Sequence, residues 1–485
     1  MKLTIKNLGS IKNNSQSIDL SKKFLIFVGR NNSGKTYVSQ LLWTIFNEDK
    51  IETFAQNNLE LVENSQITET NQFEITSEFI DRILKSYAFF LEQELEQYPG
   101  NIFIEFDYKI SDLKNKEFQA TFKVRAGEEK SINYLEMKKD RQSLIFKLED
   151  KELPEEFYDF VPRNIFGQDI IRAKKTVLMT SIIIMLIQNN KYETLFLPAI
   201  RHFLPQFYSY IYDVDRKRRE QIINQLLNLM ETRNEKPNLS EIQEFNIRKR
   251  PYTESMNQVI ENLYSLNNNP KINNKTFYLN LVQQLEEIMG GTVQYLRQEE
   301  VSLIEFNFKI DSLDNSFPMF FASSSVNQLT LIYLYCKYWA AEQNNFLIMD
   351  EPEENLHPEN QIKLLNILLT FVSERDNRVL IATHSPMLAN AINNYIYLDT
   401  LKNQYKVNVE KIIEKYNLKY VDSSINISKD NVGVYFFKGD KIIDYESDDY
   451  GIYFRNFREV EDNLDKSLRI LAEEIYIEED KLDNG

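Results

Sequence analysis

Phe24-Leu25-Ile26-Phe27-Val28-Gly29-Arg30-Asn31-Asn32-Ser33-Gly34-Lys35-Thr36 is the stretch that decides the fold. Its first five residues form a continuous apolar run, as expected of a central strand buried on both faces of a sheet. Gly29–Thr36 fits G-x-x-x-x-G-K-[ST] in full, and Tyr37–Phe46 then switches to helical spacing. A strand, a glycine loop and a helix in that order make a cradle for phosphate. Gly29 and Gly34 let the backbone wrap closely, while the amides of Arg30, Asn31, Asn32 and Ser33 and the helix N-terminus present positive ends to an anion. Lys35 is placed to reach β- and γ-phosphates, and the Thr36 hydroxyl to ligate Mg²⁺.

Two later strands complete the pattern. Phe346-Leu347-Ile348-Met349-Asp350-Glu351 is an apolar run ending in adjacent carboxylates, a Walker B pattern. A buried strand there sets Asp350 beside the phosphate loop as a magnesium ligand, with Glu351 positioned to polarise an attacking water. Val379-Leu380-Ile381-Ala382-Thr383-His384 is a further buried-type strand. One crossover helix, Glu359–Val372, fits between them, so His384 should emerge on the same sheet edge as Asp350, where it suits sensing of the γ-phosphate.

The chain has 485 residues with 57 Lys and Arg against 73 Asp and Glu, a net charge of −16, which excludes a surface basic all round. Any nucleic-acid contact must then be a local patch. The share of hydrophobic residues, 42%, excludes global disorder. Cys336 is the single cysteine and cannot form an intrachain disulfide, and Met1–Leu20 lacks the apolar run of a secretory signal, so a cytoplasmic location is expected. The most apolar segment, Thr176–Gln188, falls short of the ~20 residues needed to cross a bilayer and reads as a buried helix.

Along the chain, Lys2–Asn7 alternates like an exposed strand, Glu52–Glu69 is a polar stretch, and Ser77–Tyr98 reads as a long helix. Asn101–Tyr108, Phe118–Arg125 and Leu144–Leu148 read as antiparallel strands, and Thr194–Ala199 as a strand broken by Pro198. Phe203 to Gly290 is helical and polar, without sustained heptads; Thr292–Arg297 and Val301–Ile310 return to strand pattern. From Ser324 to Thr383, helix, strand, helix and strand alternate, which implies a parallel sheet. The expected organisation is one split α/β head, residues 1–202 and 291–485, with a helical insertion at 203–290.

The order of phosphate loop, long insertion, Ser-rich turn, Asp350-Glu351-Pro352-Glu353-Glu354-Asn355-Leu356-His357-Pro358-Glu359 and Ala382-Thr383-His384-Ser385-Pro386 resembles the ABC-type ATPases of the RecF, SMC and OLD (overcoming-lysogenization-defect) group. It is most similar to the OLD-like ATPases of bacterial antiphage-defence systems, such as the Septu, PARIS and retron-associated ATPases. The opening Met1–Leu20 resembles their first hairpin, and Phe196–Arg201 (FLPAIR) a family strand ending in Pro and Arg. The resemblance implies an α/β fold: an ABC-type P-loop ATPase head with a mostly parallel core sheet, an antiparallel β subdomain and a large helical insertion. It implies ATP and Mg as cofactors, ATP hydrolysis, and a head-to-tail dimer or higher oligomer with itself. In that dimer a signature turn, here Ser323–Leu329 before a helix Thr330–Ala341, would close on the other protomer's nucleotide through Ser324 and Ser325. The family usually has Gly where this chain has Ser325, which points to slow hydrolysis; capping of the helix by Ser323–Ser325 is the alternative role. His357 falls in the family's dimer-contacting loop, as an interface residue or an exposed turn histidine.

The remainder is read from residue type. OLD-like nucleases need a strand-end Glu in a C-terminal domain, but Val434–Asp440 has Lys438 there, so Val432–Ile452 reads as an edge hairpin turning at Lys438-Gly439-Asp440. Arg216–Arg219 and Arg248–Arg250 are basic clusters, either solvated faces or a surface for nucleic acid or an acidic protein. The acidic C-terminal segment with Glu473, Glu474, Glu478, Glu479 and Asp480 is a solvated helix end or a handle for a basic partner. The function expected is MgATP-dependent control of a separate effector, a nuclease or toxin encoded nearby. The alternatives are a RecF-like DNA-repair ATPase and a self-contained OLD-type nuclease.

Overall fold

The computed structural model describes residues 1–62, 72–96, 98, 100–108, 119–126, 130–140, 143–148, 163–188, 191–214, 216–217, 253–266, 272–297, 304–445, 447–448 and 451–483. In chain order the first half holds β1 (Lys2–Lys6), β2 (Ser17–Asp19), β3 (Phe24–Gly29), α1 (Lys35–Phe46), α2 (Glu48–Asn57), β4 (Gln72–Glu74), α3 (Ser77–Glu94), β5 (Phe103–Asp107), β6 (Gln119–Ala126), β7 (Lys130–Asp140), β8 (Ser143–Leu148), α4 (Arg163–Ile187) and β9 (Glu193–Leu197). After these come α5 (Glu254–Ser265), α6 (Thr276–Met289), β10 (Gly291–Arg297), β11 (Ile304–Ile310), β12 (Ser316–Pro318), α7 (Ser324–Leu334), β13 (Asn345–Asp350), α8 (Pro358–Ser373), β14 (Arg378–Thr383), α9 (Pro386–Asn403), α10 (Val409–Tyr416), β15 (Val432–Lys438), β16 (Lys441–Asp444) and α11 (Arg455–Asp483).

The central sheet has six strands in the order β16-β15-β3-β14-β13-β9, all parallel except the edge strand β16. Its strands alternate between two cores. From β3, Phe24, Ile26 and Val28 face one core while Leu25 and Phe27 face the other. The first core is filled by α5 to α9 and the second by α1 to α4 together with β1. Antiparallel sheets β2-β1-β5, β4-β8-β7-β6 and β10-β11-β12 surround this centre, and Ser447–Asp448 pairs antiparallel with Gly451–Ile452. Among the described residues, no helix is long and apolar enough to cross a membrane. Thr176–Gln188 indeed lies almost wholly within α4, with Leu178, Met179, Ile182, Ile183 and Met185 fully buried.

Several local expectations need correction. The polar stretch from Glu52 begins inside α2, whose Ile51, Phe54 and Ala55 are buried; three apolar residues on one face suffice for a helix that packs. Residues 63–69 of that stretch lie outside the described residues. The helix expected at Thr330–Ala341 begins at Ser324, because Ser323 caps it by accepting from the Val326 amide at 3.3 Å. It runs into a π-helical turn, Tyr335–Trp339. The expected hairpin at Val432–Ile452 forms from β15 and β16, turning at Gly439 and Asp440, with a second small antiparallel pair between Ser447–Asp448 and Gly451–Ile452, and β15 also pairs in parallel with β3. Of the two basic clusters, only Arg216 and Lys217 are described; Arg248–Arg250 lies outside the described residues.

One buried cation ties the sheet to the helix beyond it. Arg201 follows β9 and has no solvent exposure. Its Nη1 donates to the Asp350 carbonyl at 2.7 Å, Nη2 to the Glu351 carbonyl at 3.1 Å, and Nε to the Gln328 carbonyl at 3.2 Å. Burial pulls its pKa down to about 10, with Glu354, Glu353, Asp350 and Glu351 opposing the fall, so the guanidinium stays charged at neutral pH. Replacing Arg201 by Met should strip these carbonyls of their donors and cost roughly 3 kcal/mol or more. Urea unfolding of the variant, expected to give a lower midpoint at an unchanged m-value, checks it.

Candidate nucleotide site

Glycine is required twice in the loop between β3 and α1. A Cβ on Gly29 would stand 2.5 Å from the Phe437 carbonyl of the neighbouring β15. Gly34 holds φ +97 as it opens α1, a left-handed backbone that side chains avoid. Between them, Arg30, Asn31 and Asn32 are exposed, whereas Ser33 is buried and its Oγ has no hydrogen-bond partner. A buried, unpartnered hydroxyl within the loop is a feature that a phosphate oxygen would satisfy.

Parallel pairing of β3 with β14 and of β14 with β13 brings three strand ends together from positions over 300 residues apart. The Thr36 hydroxyl donates to Asp350 Oδ2 at 2.6 Å. Lys35, nearly buried, donates to the carbonyls of Gly29 and Arg30, both at 3.1 Å, and to His384 Nε2 at 2.9 Å. Those three bonds use all three donors of an ammonium. They also fix the histidine: with Nε2 accepting, the ring proton sits on Nδ1. Glu351 Oε1 stands 3.4 Å from the same Nε2. Phosphate loop, paired carboxylates and histidine therefore form one contiguous cluster.

The electrostatics follow from burial. Burial lowers the Lys35 pKa, with Asp350, Glu351 and Glu353 pulling the other way. The His384 pKa is lowered by burial and then by the Lys35 charge. Burial pushes the Asp350 carboxyl up to about 6, with the Thr36 hydrogen bond opposing. Thr36 and Asp350 together offer the hard oxygen donors that suit Mg²⁺, an ion that keeps waters and phosphate oxygens for its remaining positions. The residues present thus fit a magnesium–phosphate group.

Two residues of this cluster are given no role in the site by the sequence: Arg201, noted only as the end of FLPAIR, and Glu353, noted only within Asp350–Glu359. Arg201 fixes the Asp350 and Glu351 carbonyls, as described above. Glu353 Oε1 accepts from the Thr383 hydroxyl at 2.6 Å, the His384 amide at 2.8 Å and the Ser385 amide at 3.1 Å, so it holds the turn that carries the histidine. Glu351 itself has φ +46 and donates its amide to the Ala382 carbonyl at 2.7 Å. A non-glycine residue in this region is strained, and the bonds from Arg201 and to Ala382 hold it there. The spacing of Glu353 after Glu351 was the only available signal.

Ser324 and Ser325 stand apart from this cluster. They lie in the first turn of α7, where Ser325 Oγ is 2.8 Å from Ser323 Oγ on the exposed side. Among the described residues, no hydrogen bond joins either serine to the phosphate loop. His357 caps α8, with Nδ1 accepting from the Glu359 amide at 3.4 Å.

A mostly parallel α/β sheet with this loop at its edge defines a nucleotide-dependent ATPase head. The family described as AAA ATPase domain (AAA_15) matches residues 1–389, and the chain belongs to it. Among solved structures, it is similar to the Smc head domain with an extended coiled coil bound to the C-terminal domain of ScpA, from Pyrococcus furiosus. The identity is 12%, over 97% of this chain and 98% of that one, with a TM-score of 0.33. A second similar structure is the SmcHead bound to the C-winged helix domain of ScpA, at 12% identity over 80% of this chain and 90% of that one, with a TM-score of 0.31. No curated protein matches the sequence.

Two predictions follow from the charges. The folded-state pKa of Asp350 lies above its ordinary 3.8, so its ionisation works against folding. The penalty is absent below the unfolded pKa, where the carboxyl is protonated in both states, and is fully developed once pH has risen through about 6. Asp350→Asn should therefore stabilise the nucleotide-free protein at pH 8 by up to about 3 kcal/mol. The gain should shrink as pH falls from 6 toward 4, as denaturant titrations at a series of pH values would reveal. Lys35→Met should raise the His384 pKa by removing the adjacent cation. With only three histidines in the chain, NMR titration of the imidazole resonances can read that shift directly.

Proposed function

We propose that the chain is an MgATP-binding ABC-type ATPase of the OLD-like kind, which acts as sensor and regulator of a separate nuclease or toxin in antiphage defence. The observation that carries the ATPase part is the contact of Lys35, Thr36, Asp350, Glu351 and His384 at the ends of three parallel strands. In this reading Gly29–Thr36 cradle the phosphates, and Thr36 and Asp350 hold magnesium. The bound MgATP supplies the phosphoanhydride to be cleaved and the charge that neutralises it. Glu351 orients and deprotonates water, and His384 senses the γ-phosphate. Phosphate oxygens compete with His384 Nε2 and with the Gly29 and Arg30 carbonyls for the Lys35 ammonium, and loss of the imidazole bond frees Nε2.

Head-to-tail pairing, with Ser324 and Ser325 at the partner's nucleotide, belongs to the same proposal, as does the division into a split head, 1–202 and 291–485, around 203–290. The exposed first turn of α7 supports the pairing, since Ser324 faces solvent there while the Ser323 cap already satisfies the Val326 amide. The defence role rests on family resemblance. We place nuclease chemistry on a partner because β15, which ends at Lys438, is built into the ATPase sheet beside the phosphate-loop strand.

Lys35→Ala should abolish ATP binding, measured by isothermal titration with MgATP; unchanged affinity would sink the site assignment. Glu351→Gln should keep MgATP but hydrolyse it at least ~100-fold more slowly, and wild-type turnover in that variant removes Glu351 from the catalytic role.

A further inference from the structure

The C-terminal helix α11 ends the described chain with 29 residues that the ATPase cluster does not use. From Glu459 to Ile475, every residue whose side chain is described is exposed. Exposure includes a stripe of large apolar residues: Val460 at 60%, Leu464 at 60%, Leu468 at 65%, Leu471 at 62% and Ile475 at 59%. They recur at three- and four-residue spacing, so they share one helix face. A helix this long with an uncovered apolar face is marginal in water by itself and gains its stability from what packs on the stripe.

Charge selects the occupant. Asp465 and Glu474 border the stripe, one along each edge, whereas Lys466 and Arg469 fall on the opposite face at 3.6 residues per turn. Over its whole length α11 carries ten acidic and five basic residues, in a chain of net charge −16. A second copy would set acidic borders against acidic borders, and an anionic lipid surface would repel them. We infer that the stripe is a docking surface for a partner protein's amphipathic helix whose apolar face is bordered by lysine or arginine. The groove-and-helix mode provides the apolar anchors, and the acidic borders provide selection and register. The inference deepens the effector reading, on which only the partner's role rests. Docking is measured without nucleotide, so failure of the ATP site and failure of the stripe are separate results.

The test uses the full chain and two synthetic 28-residue helices with the same leucine stripe, one bordered by lysine and one by glutamate. Fluorescence anisotropy should show binding of the lysine-bordered helix, at least tenfold weaker binding of the glutamate-bordered one, and loss of affinity with added salt. Leu464→Gln with Leu471→Gln should weaken the lysine-bordered helix at least tenfold while leaving MgATP binding unchanged. Asp465→Lys with Glu474→Lys, which keeps the stripe and the fold, should reverse the preference between the two helices. Binding of neither helix, equal binding of both, or indifference to these substitutions overturns the proposal. So does self-association of the wild-type chain, seen by light scattering, that the paired Leu→Gln substitutions abolish; it would assign the stripe to a second copy. Cosedimentation with phosphatidylcholine–phosphatidylglycerol vesicles that is lost in the same variant likewise overturns it.

Discussion

The guanidinium of Arg201 is the constraint on which the site depends. An arginine without solvent exposure must find partners for its donors, and here they are main-chain carbonyls of separate elements: Asp350 at the end of β13, Glu351 just after it, Gln328 within α7 and Pro198 after β9. Binding carbonyls rather than a carboxylate leaves the carboxylates of Asp350 and Glu351 free to face the phosphate loop. The same bond holds Glu351 in a left-handed backbone conformation that its side chain would not choose. Strain at the candidate catalytic carboxylate is thus sustained by a buried cation one strand away.

Lys35 has the complementary part. Its ammonium is satisfied by two carbonyls and an imidazole, which fixes the tautomer of His384 and holds the histidine against the loop. Glu353 secures the same histidine from its backbone side through three bonds to one carboxylate oxygen. The ring is therefore held from two directions, one main-chain and permanent, the other through a cation that an incoming phosphate would compete for. A ligand that draws Lys35 away changes the environment of His384 without moving the turn that carries it.

The parts of this arrangement that were legible in the sequence are those encoded locally. FLIFV before Gly29, FLIMD and VLIAT each announce a strand buried on two faces, and the glycine spacing announces the loop. The adjacency of Thr36 to Asp350 and of Lys35 to His384 follows once those strands are parallel neighbours. The roles of Arg201, visible only as the end of FLPAIR, and of Glu353 were not legible because they lie in partners 30 to 150 residues away in the chain. α2 was hidden by its polar exposed face, and β7 had no clean alternation to reveal it. The first turn of α7 was misread because serine is as common before a helix as within its first turn, and only the Ser323 cap fixes the boundary.

The region between Phe203 and Gly290 is joined to the head more closely than its polar sequence suggests. Val259, Ile260 and Leu263 of α5, and Leu281 and Leu285 of α6, lie in the same apolar core as Phe24, Ile26 and Val28 of β3. Gln258 completes the link. Its Oε1 accepts from the Trp43 indole of α1 at 2.9 Å, and its Nε2 donates to the Thr194 carbonyl of β9 at 3.0 Å. Helix α1 is therefore anchored at its first residue to the phosphate loop and near its last turn to α5, while β9 leads directly to Arg201. Both elements that frame the candidate nucleotide site are hydrogen-bonded to one glutamine side chain of the middle region. A displacement of α5 against β9 cannot leave that side chain's two bonds intact, so α5, α1 and β9 pack as one unit.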